Sequence, residues 1–558
     1  MPAERRLATS VLIVGAGPVG LTLALDLAWR GVDSVVIEER GADVPATPRA
    51  NHVSARAMET YRRLGIAADI RRVGLPDDYP TDVVWATSMT GYELTRIRLP
   101  ARRDAGGPGY ADSGWPTPEP QHKINQMYLE PILRRYAEAN PRVRVLYSTR
   151  FDGVRQDAGR VVGQATDLDT GEVLRTEAAY LVGCDGGASG IRKAIGATFS
   201  GDPAITRVVS LHISAPDLVK RLNGTPAHRY FVVGEQMGST VTLDGRELWS
   251  LHVMLPEADS DPRDLDRDRA VRALTGLDGD LSYRILSEDA WTGRRLLADR
   301  FRDGRVFICG DAAHIWVPNA GYGMNAGIAD AENLAWRLAA VLRGWGGPSL
   351  LDGYERERHP ITDQVSRFAK DLAVKNRAAD FRRPPAELTR PGPAGDALRR
   401  RVGEALYALN RPQFTPTGLN FAYFYDASPN IAYDGEDAPA YGLGDYQAST
   451  VPGCRTPHFF GRDGASLYDR LGAGFTLLRL DPSLDAAPLL EAAKATGMPL
   501  AVLDLDRAEA GAAYRHDFVL SRPDRHVAWR GDALPERPQD LVGLVSGQTL
   551  AERIIHVA

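Results

Sequence analysis

Ser10-Val-Leu-Ile-Val-Gly-Ala-Gly-Pro-Val-Gly20, continued by Leu21-Thr-Leu-Ala-Leu-Asp-Leu-Ala-Trp29 and then by Ser34-Val-Val-Ile-Glu38, is the stretch that decides the fold. A short apolar run of β type ends at Val14, a glycine-rich turn follows, Leu21 to Trp29 has helical character, and a second apolar run stops at Glu38. This is a β-turn-α-β unit. Gly15 permits the tight turn, Gly17 lets backbone approach a pyrophosphate, and Gly20 allows close packing of helix on strand. The helix N-terminus offers free N–H groups and positive potential to a diphosphate. Glu38, at the end of the second strand, can accept hydrogen bonds from a ribose 2′-OH, which disfavours a 2′-phosphate. The unit is a dinucleotide site, and alone it does not separate FAD from NAD.

The rest of the chain sets this unit in context. There are 558 residues, with 67 Lys and Arg against 72 Asp and Glu, a net charge of −5 that leaves no basic footprint for nucleic acid or anionic membrane. The apolar run from Val11 to Ala28 is long enough to cross a bilayer, but three glycines, Pro18 and Asp26 interrupt it, and no second run of that length follows. Cys184, Cys309 and Cys454 lie too far apart for a CxxC, a zinc knuckle or a disulfide framework; no HExxH helix or GxSxG elbow occurs; no metal is expected, and a reducing cytoplasm fits. Gln126 to Ala139 reads as an amphipathic helix, with strands at Val143 to Tyr147 and Tyr180 to Val182 after it. Between Arg207 and Met254 the pattern turns to strand-like pieces without a long helix, which reads as an antiparallel sheet inserted in the α/β framework. Arg305 to Cys309 reads as a strand, Ile328 to Leu342 as a helix, and the Arg-, Ala- and Pro-rich Ala378 to Ala394 as a bridge or loops. Strands at Phe475, Leu500, Phe518 and His526, with a helix at Ala486 to Ala495, form a small terminal α/β unit.

Two further motifs carry chemistry. Cys184-Asp-Gly-Gly-Ala-Ser-Gly-Ile-Arg-Lys193 follows a strand, and Asp185 there serves either a cofactor or, more plainly, the N-terminus of a helix starting near Ser189. Gly304-Arg-Val-Phe-Ile-Cys-Gly-Asp-Ala-Ala-His314 ends a buried strand in an acid, Asp311, and leads into Pro318-Asn-Ala-Gly-Tyr-Gly-Met-Asn-Ala-Gly327. In this order and at these separations the three motifs, with Pro48-Arg-Ala50, Arg56, Gln126 and Leu129-Glu130, resemble the class A flavoprotein monooxygenases of the para-hydroxybenzoate hydroxylase fold, over about Val11 to His359. Gly418 to Pro429, Pro452 to His458, Arg522-Pro-Asp524 and Ala528-Trp-Arg530 resemble the phenol and polyketide hydroxylase branch, whose members end in a thioredoxin-like domain; without a CxxC this one is implied to be redox-inactive and structural.

The resemblance implies an α/β fold in which residues 1–75, 120–200 and 285–370 form an FAD-binding Rossmann-like domain. Residues 76–119 and 201–284 would form a mainly antiparallel β substrate domain, 371–450 a connecting region and 451–558 the thioredoxin-like domain. Carried over by position, Gly15, Gly17, Pro18, Gly20, Glu38, Glu39 and Arg40 hold the ADP half of FAD, Gln126 the diphosphate–ribityl region and Asp311 the ribityl chain. Asp185 and Gly186 touch FAD or NADPH, and Pro318, Gly321, Gly323, Met324 and Asn325 line the isoalloxazine, where backbone N–H groups stabilise charge on reduced flavin. Ala320 stands where relatives usually have glycine. NADPH is implied as a transient reductant and O2 as oxidant, activated as a flavin C4a-hydroperoxide whose distal oxygen passes to a small aromatic substrate. Arg49 is a candidate for gating the flavin or meeting NADPH. A general base would help a phenol react. Asn51 replaces an Asp found in some phenol hydroxylases, and His52 or His252 remains for that role. The motifs leave open a related epoxidase or Baeyer–Villiger oxygenase and a non-catalytic dinucleotide-binding protein, while the missing WxWxIP element weakens a halogenase. A homodimer is implied by resemblance alone.

Overall fold

The computed structural model describes residues 4–110, 112–257, 259–277, 281–317, 321–378 and 385–548. The chain lays down β1 (Glu4–Val14) and β2 (Ser34–Ile37), then β3 (Val83–Ala86) and β4 (Glu93–Ile97). It continues with β5 (Val143–Leu146), β6 (Thr149–Gln156), β7 (Val161–Asp167) and β8 (Val173–Gly183). There follow β9 (Phe199–Ser214), β10 (Arg229–Val232), β11 (Gly238–Thr242), β12 (Leu248–Met254) and β13 (Arg284–Ala298), and finally β14 (Arg302–Asp303), β15 (Val306–Ile308) and β16 (His314–Ile315).

Strands β14-β15-β8-β1-β2-β5 form the first sheet, with β7 also on β8 and β6 on β7. Its centre, β15, β8, β1, β2 and β5, is parallel. Val11, Leu12 and Ile13 are fully buried there, each worth roughly 1.5–3 kcal/mol of apolar burial. The register places Ile37, Val14, Gly183 and Ile308 in one row across this sheet. The segments leaving that row are residues 38–40, 15–20, 184–187 and 309–312, so the three motifs and Glu38 emerge side by side at the carboxyl ends of parallel strands, where open α/β sheets bind ligands.

The second sheet, β16-β13-β9-β12-β11-β10-β3-β4, is antiparallel except for the β10–β3 pair. Tyr230, Val232, Trp249, Leu251 and Val253 point into one hydrophobic cluster, closed by the helix Arg267–Thr275. Since side chains alternate along a strand, Arg229, Phe231, Ser250 and His252 face the other way.

The helices α1 (Pro18–Trp29), α2 (Ala55–Arg63), α3 (Gln126–Ala139), α4 (Gly323–Leu342) and α5 (Asp352–Ala378) pack around the first sheet and its rim. Two differ from the sequence reading. Helix α4 begins five residues earlier than Ile328, because Gly327 lies inside it as a contact surface: a Cβ there would come within 2.6 Å of Val19 Cγ2 and 3.0 Å of Gly310 Cα. Glycine's low helix propensity, about 1 kcal/mol against alanine, is outweighed by that approach. The stretch read as a bridge or loops already contains the start of α6 (Pro393–Phe414), whose Leu398, Val402 and Leu406, one helical turn apart, cover Val83 and Trp85.

The third sheet, β18-β17-β19-β20, is built from β17 (Phe475–Arg479), β18 (Leu500–Asp504), β19 (Phe518–Ser521) and β20 (Val527–Gly531). With the helices Ala487–Thr496 and Pro538–Val545 it makes a thioredoxin-like α/β unit whose core takes in Trp336 and Ala340 of α4. Its Cys454 is buried, and burial pushes the thiol up to about 11. Among the described residues no helix is long and apolar enough to cross a membrane, and no group of three His, Cys, Asp or Glu side chains could hold a metal.

Candidate active site

Three glycines of the first turn divide the work. Gly15 has φ +104°, and a Cβ on it would lie 2.3 Å from Cys184 O; one on Gly20 would lie 2.0 Å from Gly15 O. Both are required by protein against protein. Gly17 is different: its backbone is extended (φ −73°, ψ 179°) and no protein atom lies within 4 Å of a Cβ placed there. It precedes Pro18 at the start of α1, which has neither a side-chain cap nor an acidic residue in its first turn. An open, uncapped helix N-terminus is an anion site.

Glu38 closes the far side of this turn. Its Oε2 accepts from Ala16 N at 2.8 Å, and its Oε1 accepts from Arg40 N at 3.0 Å and Arg40 Nε at 2.9 Å. Burial works to raise its pKa, and Arg40 with the two amides outweighs it, so the carboxylate is held below its ordinary value. Arg40 continues to Glu130 (2.9 Å), which Gln126 Nε2 also reaches at 3.3 Å. Glu39 beside them is exposed.

At the second turn Asp185 is occupied by its own loop. It accepts from Ser189 Oγ (2.6 Å), Gly190 N (2.7 Å) and Ile191 N (3.1 Å), the N-capping role; Gly186, with φ +77°, adjoins open space. At the third, Asp311 keeps accessible surface while lying deep in the protein, so it lines a hollow. Burial raises its pKa against the pull of His314 and Arg49, which brings exposed Arg49 near it. His314 is tied to structure through one ring nitrogen: its Nε2 meets Asp330 at 2.6 Å, and Arg358 holds the other oxygen at 2.7 Å.

Pro318 and Ala320 lie outside the described residues. Gly321 has φ +67° with the His52 ring against it, Gly323 opens α4 with no atom near its Cβ position, and Met324 is half-buried beside it. Asn325 turns its side chain to the protein: Oδ1 accepts from Ser54 N (2.8 Å), and Nδ2 donates to the carbonyls of His52 (3.3 Å) and Gly321 (3.2 Å). The strip from Ala50 to Ser54 is thus pinned to α4. It is pinned to the start of α3 as well, by Gln126 N to Ala50 O (2.7 Å) and Asn125 Nδ2 to Asn51 Oδ1 (2.7 Å).

His252 sits apart, on the polar face of the second sheet. Trp291 Nε1 donates to Ser210 Oγ (2.8 Å), and Ser210 lies 2.8 Å from His252 Nδ1. Indole only donates, which leaves the Ser210 hydroxyl proton available to Nδ1. Burial, and then Arg229, push this histidine down to about 3, so it is neutral at physiological pH.

A free face at Gly17, an uncapped α1, an accessible Asp311 with no ion-pair partner among the described residues and an open Gly323 fit FAD as the group they would hold. The family models agree. The FAD binding domain model matches residues 8–369, and the aromatic-ring hydroxylase C-terminal model matches residues 449–547. The chain belongs to the FAD-dependent aromatic-ring hydroxylases. The 2,4-dichlorophenol 6-monooxygenase of Cupriavidus pinatubonensis is 31% identical, over 94% of each chain. The tetracenomycin A2 monooxygenase-dioxygenase of Streptomyces glaucescens is 30% identical, also over 94% of each. The solved structure of chromopyrrolic acid-soaked RebC with bound 7-carboxy-K252c superposes with a TM-score of 0.89 at 34% identity, covering 98% of this chain and 100% of that one. The hydroxylase also has polar residues that no motif marks, buried His228 and half-buried Lys123, Arg229, Ser210 and Trp291. The alternation of Arg229 and Phe231 against Tyr230 and Val232 is the only sequence signal that points to any of them.

Proposed function

We propose that this hydroxylase places one oxygen atom from O2 on a phenolic or polycyclic aromatic ring, with NADPH as electron donor. The observation that carries the reading is the row Ile37, Val14, Gly183 and Ile308, from which a pyrophosphate-type turn and a free Asp311 emerge beside the polar face of a second sheet. Phenolic and tetracenomycin-type relatives support the substrate class.

Bound FAD supplies the electron transfer and oxygen activation. The chain's own residues do the rest. The α1 N-terminus and the open side of Gly17 would take the diphosphate, Glu38 would offer its remaining lone pairs to the ribose, and Asp311 would accept from the ribityl hydroxyls. The amides at the start of α4 would favour negative charge on the flavin. Asp185 acts through backbone geometry, since its carboxylate is spent on Ser189, Gly190 and Ile191. Exposed Arg49, close to Asp311, is the group placed to meet NADPH. His252, neutral at physiological pH, orients substrate by hydrogen bonding and does not act as the base. The second sheet and the His52–Gly321 strip exclude water from the reacting centre.

The test is substrate-stimulated NADPH oxidation by the FAD-loaded protein across phenols, naphthols and naphthacenes, with product masses. The expected result is acceleration together with a mass gain of one oxygen atom. No acceleration by any aromatic sinks the reading. Asp311→Ala is expected to weaken FAD retention roughly tenfold to a hundredfold, the worth of one charge-assisted hydrogen bond; unchanged flavin occupancy after dialysis contradicts its role.

A further inference from the structure

Three polar side chains on neighbouring strands of the second sheet form one hydrogen-bonded chain. Trp291 on β13 donates its indole N–H to Ser210 Oγ on β9, and the same oxygen lies 2.8 Å from His252 Nδ1 on β12. The register dictates these contacts: Ser210 stands directly opposite His252, and Trp291 stands opposite Val208, two residues along β9 on the same face. All three side chains are half-buried and so line a hollow, whereas Leu251 and Val253 beside His252 fill the core on the other face. Gly293 fixes where the hollow lies. It shares the face of Trp291, and a Cβ on it would come within 3.6 Å of Val317 Cγ1. Val317 immediately precedes Pro318, at the start of the proposed isoalloxazine loop, which sets Trp291 beside the reacting centre.

Counting protons along the chain gives it a direction. An indole nitrogen can only donate, and a serine hydroxyl has one proton to give and two lone pairs to accept with. Trp291 fills one lone pair of Ser210. If His252 Nδ1 held the imidazole proton and gave it to Ser210, the serine's own proton would face no acceptor among the described residues. If Ser210 donates to Nδ1, every group in the chain is used, and the imidazole proton sits on Nε2. Among the described residues the polar neighbour of Nε2 is Ser250 Oγ at 3.5 Å, longer than an ordinary hydrogen bond, which leaves this nitrogen available to a ligand. Burial keeps the ring uncharged, so it has one proton to place.

We propose that Trp291 and Ser210 are positioning residues that hold His252 as a hydrogen-bond donor through Nε2, so that the hydroxylase selects rings carrying an acceptor oxygen, a ring carbonyl or a phenol oxygen, at that point. The inference rests on the hydroxylase reading and deepens it by naming what the substrate must offer. A ring without such an oxygen leaves the Nε2 proton unpaired in a desolvated hollow, and a site built around a polar contact rejects the analogue that lacks it.

The experiment titrates the oxidised, FAD-loaded protein with 1-naphthol, 1-tetralone and naphthalene, following the perturbation of the flavin absorbance band. The three share a fused two-ring frame: the naphthol can donate or accept, the tetralone can only accept, and naphthalene can do neither. Both oxygen-bearing probes are expected to bind at least about tenfold more tightly than naphthalene, the scale of one buried polar group paired or left unpaired. Ser210→Ala frees the imidazole to carry its proton on either nitrogen. It is expected to weaken 1-tetralone by about tenfold, while 1-naphthol, which can turn donor, and naphthalene stay within about threefold. Ser210→Thr keeps the hydroxyl and should restore the tetralone's affinity. Trp291→Phe keeps a ring but returns to Ser210 a lone pair that can accept from Nδ1, and should weaken the tetralone more than naphthalene. A parallel loss for all three probes in Ser210→Ala, the mark of a role in packing alone, overturns the proposal. Tetralone binding no tighter than naphthalene's in the parent protein overturns it as well, and that measurement needs no variant to fold. If phenols drive NADPH oxidation and the tetralone has no advantage, this inference fails and the hydroxylase reading stands. If no aromatic drives NADPH oxidation, the hydroxylase reading itself has failed.

Discussion

Gly17→Val is expected to yield a folded, colourless protein. Position 17 has the extended backbone that a β-branched residue prefers, and a Cβ there meets no protein atom within 4 Å, so the fold has no objection to the side chain. The space it fills is the space in front of the α1 N-terminus. FAD affinity should fall by about a hundredfold or more, roughly 2.7 kcal/mol, while the apoprotein melts within a few degrees of the parent's. Gly15→Val provides the contrast: φ +104° and a 2.3 Å approach to Cys184 O set the substitution against backbone, and that variant should fail to fold at all. Flavin absorbance after gel filtration and a thermal melt of each apoprotein separate the cases. A yellow Gly17→Val protein would show that the turn does not hold the diphosphate.

Glu357→Gln should destabilise the protein by about 3–5 kcal/mol, the usual cost of removing one partner from a buried ionic cluster. Glu357, on α5, is fully buried and accepts from Arg522 (2.7 and 2.8 Å), Asn333 (2.7 Å) and Ser428 (2.5 Å), with Arg337 Nη2 at 2.6 Å. It therefore joins α4, α5, the loop at Ser428 and the turn between β19 and β20. An amide in its place leaves the buried Arg337 guanidinium without its ion-pair partner and Arg522 with Asp524 alone. Chemical denaturation should show an earlier midpoint in one shared transition. Loss of the C-terminal unit alone, with the flavin site still folded, would contradict the arrangement. The same carboxylate predicts acid lability. Burial acts to raise its pKa, but Arg337 and Arg522 prevail and hold it at about 2 against an ordinary 4.5. Its contribution is complete above pH 4.5 and is lost progressively as pH falls toward 2. Stability measured from pH 6 downward should drop across that window, and less so in Glu357→Gln.

What the sequence disclosed and what it withheld follow one division. The β-turn-α-β unit and the helix Gln126–Ala139 were legible because their signals are local: glycine spacing, a 3.6-residue period and an acid at a strand end. The same locality explains α6. Its apolar stripe Leu398, Val402, Leu406 was in the sequence, but the Arg- and Pro-rich residues before it drew the reading toward a bridge. Side-chain direction was not legible. Asp185, Asp311 and Asn325 sit in similar glycine-rich contexts, yet one caps a helix, one faces a hollow and one clamps a neighbouring strip.

Helix α4 begins at the flavin loop and runs until Trp336 and Ala340 enter the core of the third sheet. Arg525 of that unit also binds Glu332 of α4, while Arg455 reaches Glu59 on α2. A consequence concerns how such enzymes can be recombined. The second sheet is also tied to α5, through Arg295 with Asp363 and Lys370 with Asp202, so its exchange between relatives has to carry β3, β4 and the covering α6 along with β9 to β13. The third sheet cannot be exchanged or trimmed in the same way, since a transplant would have to bring its matching α2, α4 and α5 surfaces with it. Chimeras that carry β3, β4 and α6 along with β9 to β13 should keep their flavin; chimeras cut at residue 450 should lose it.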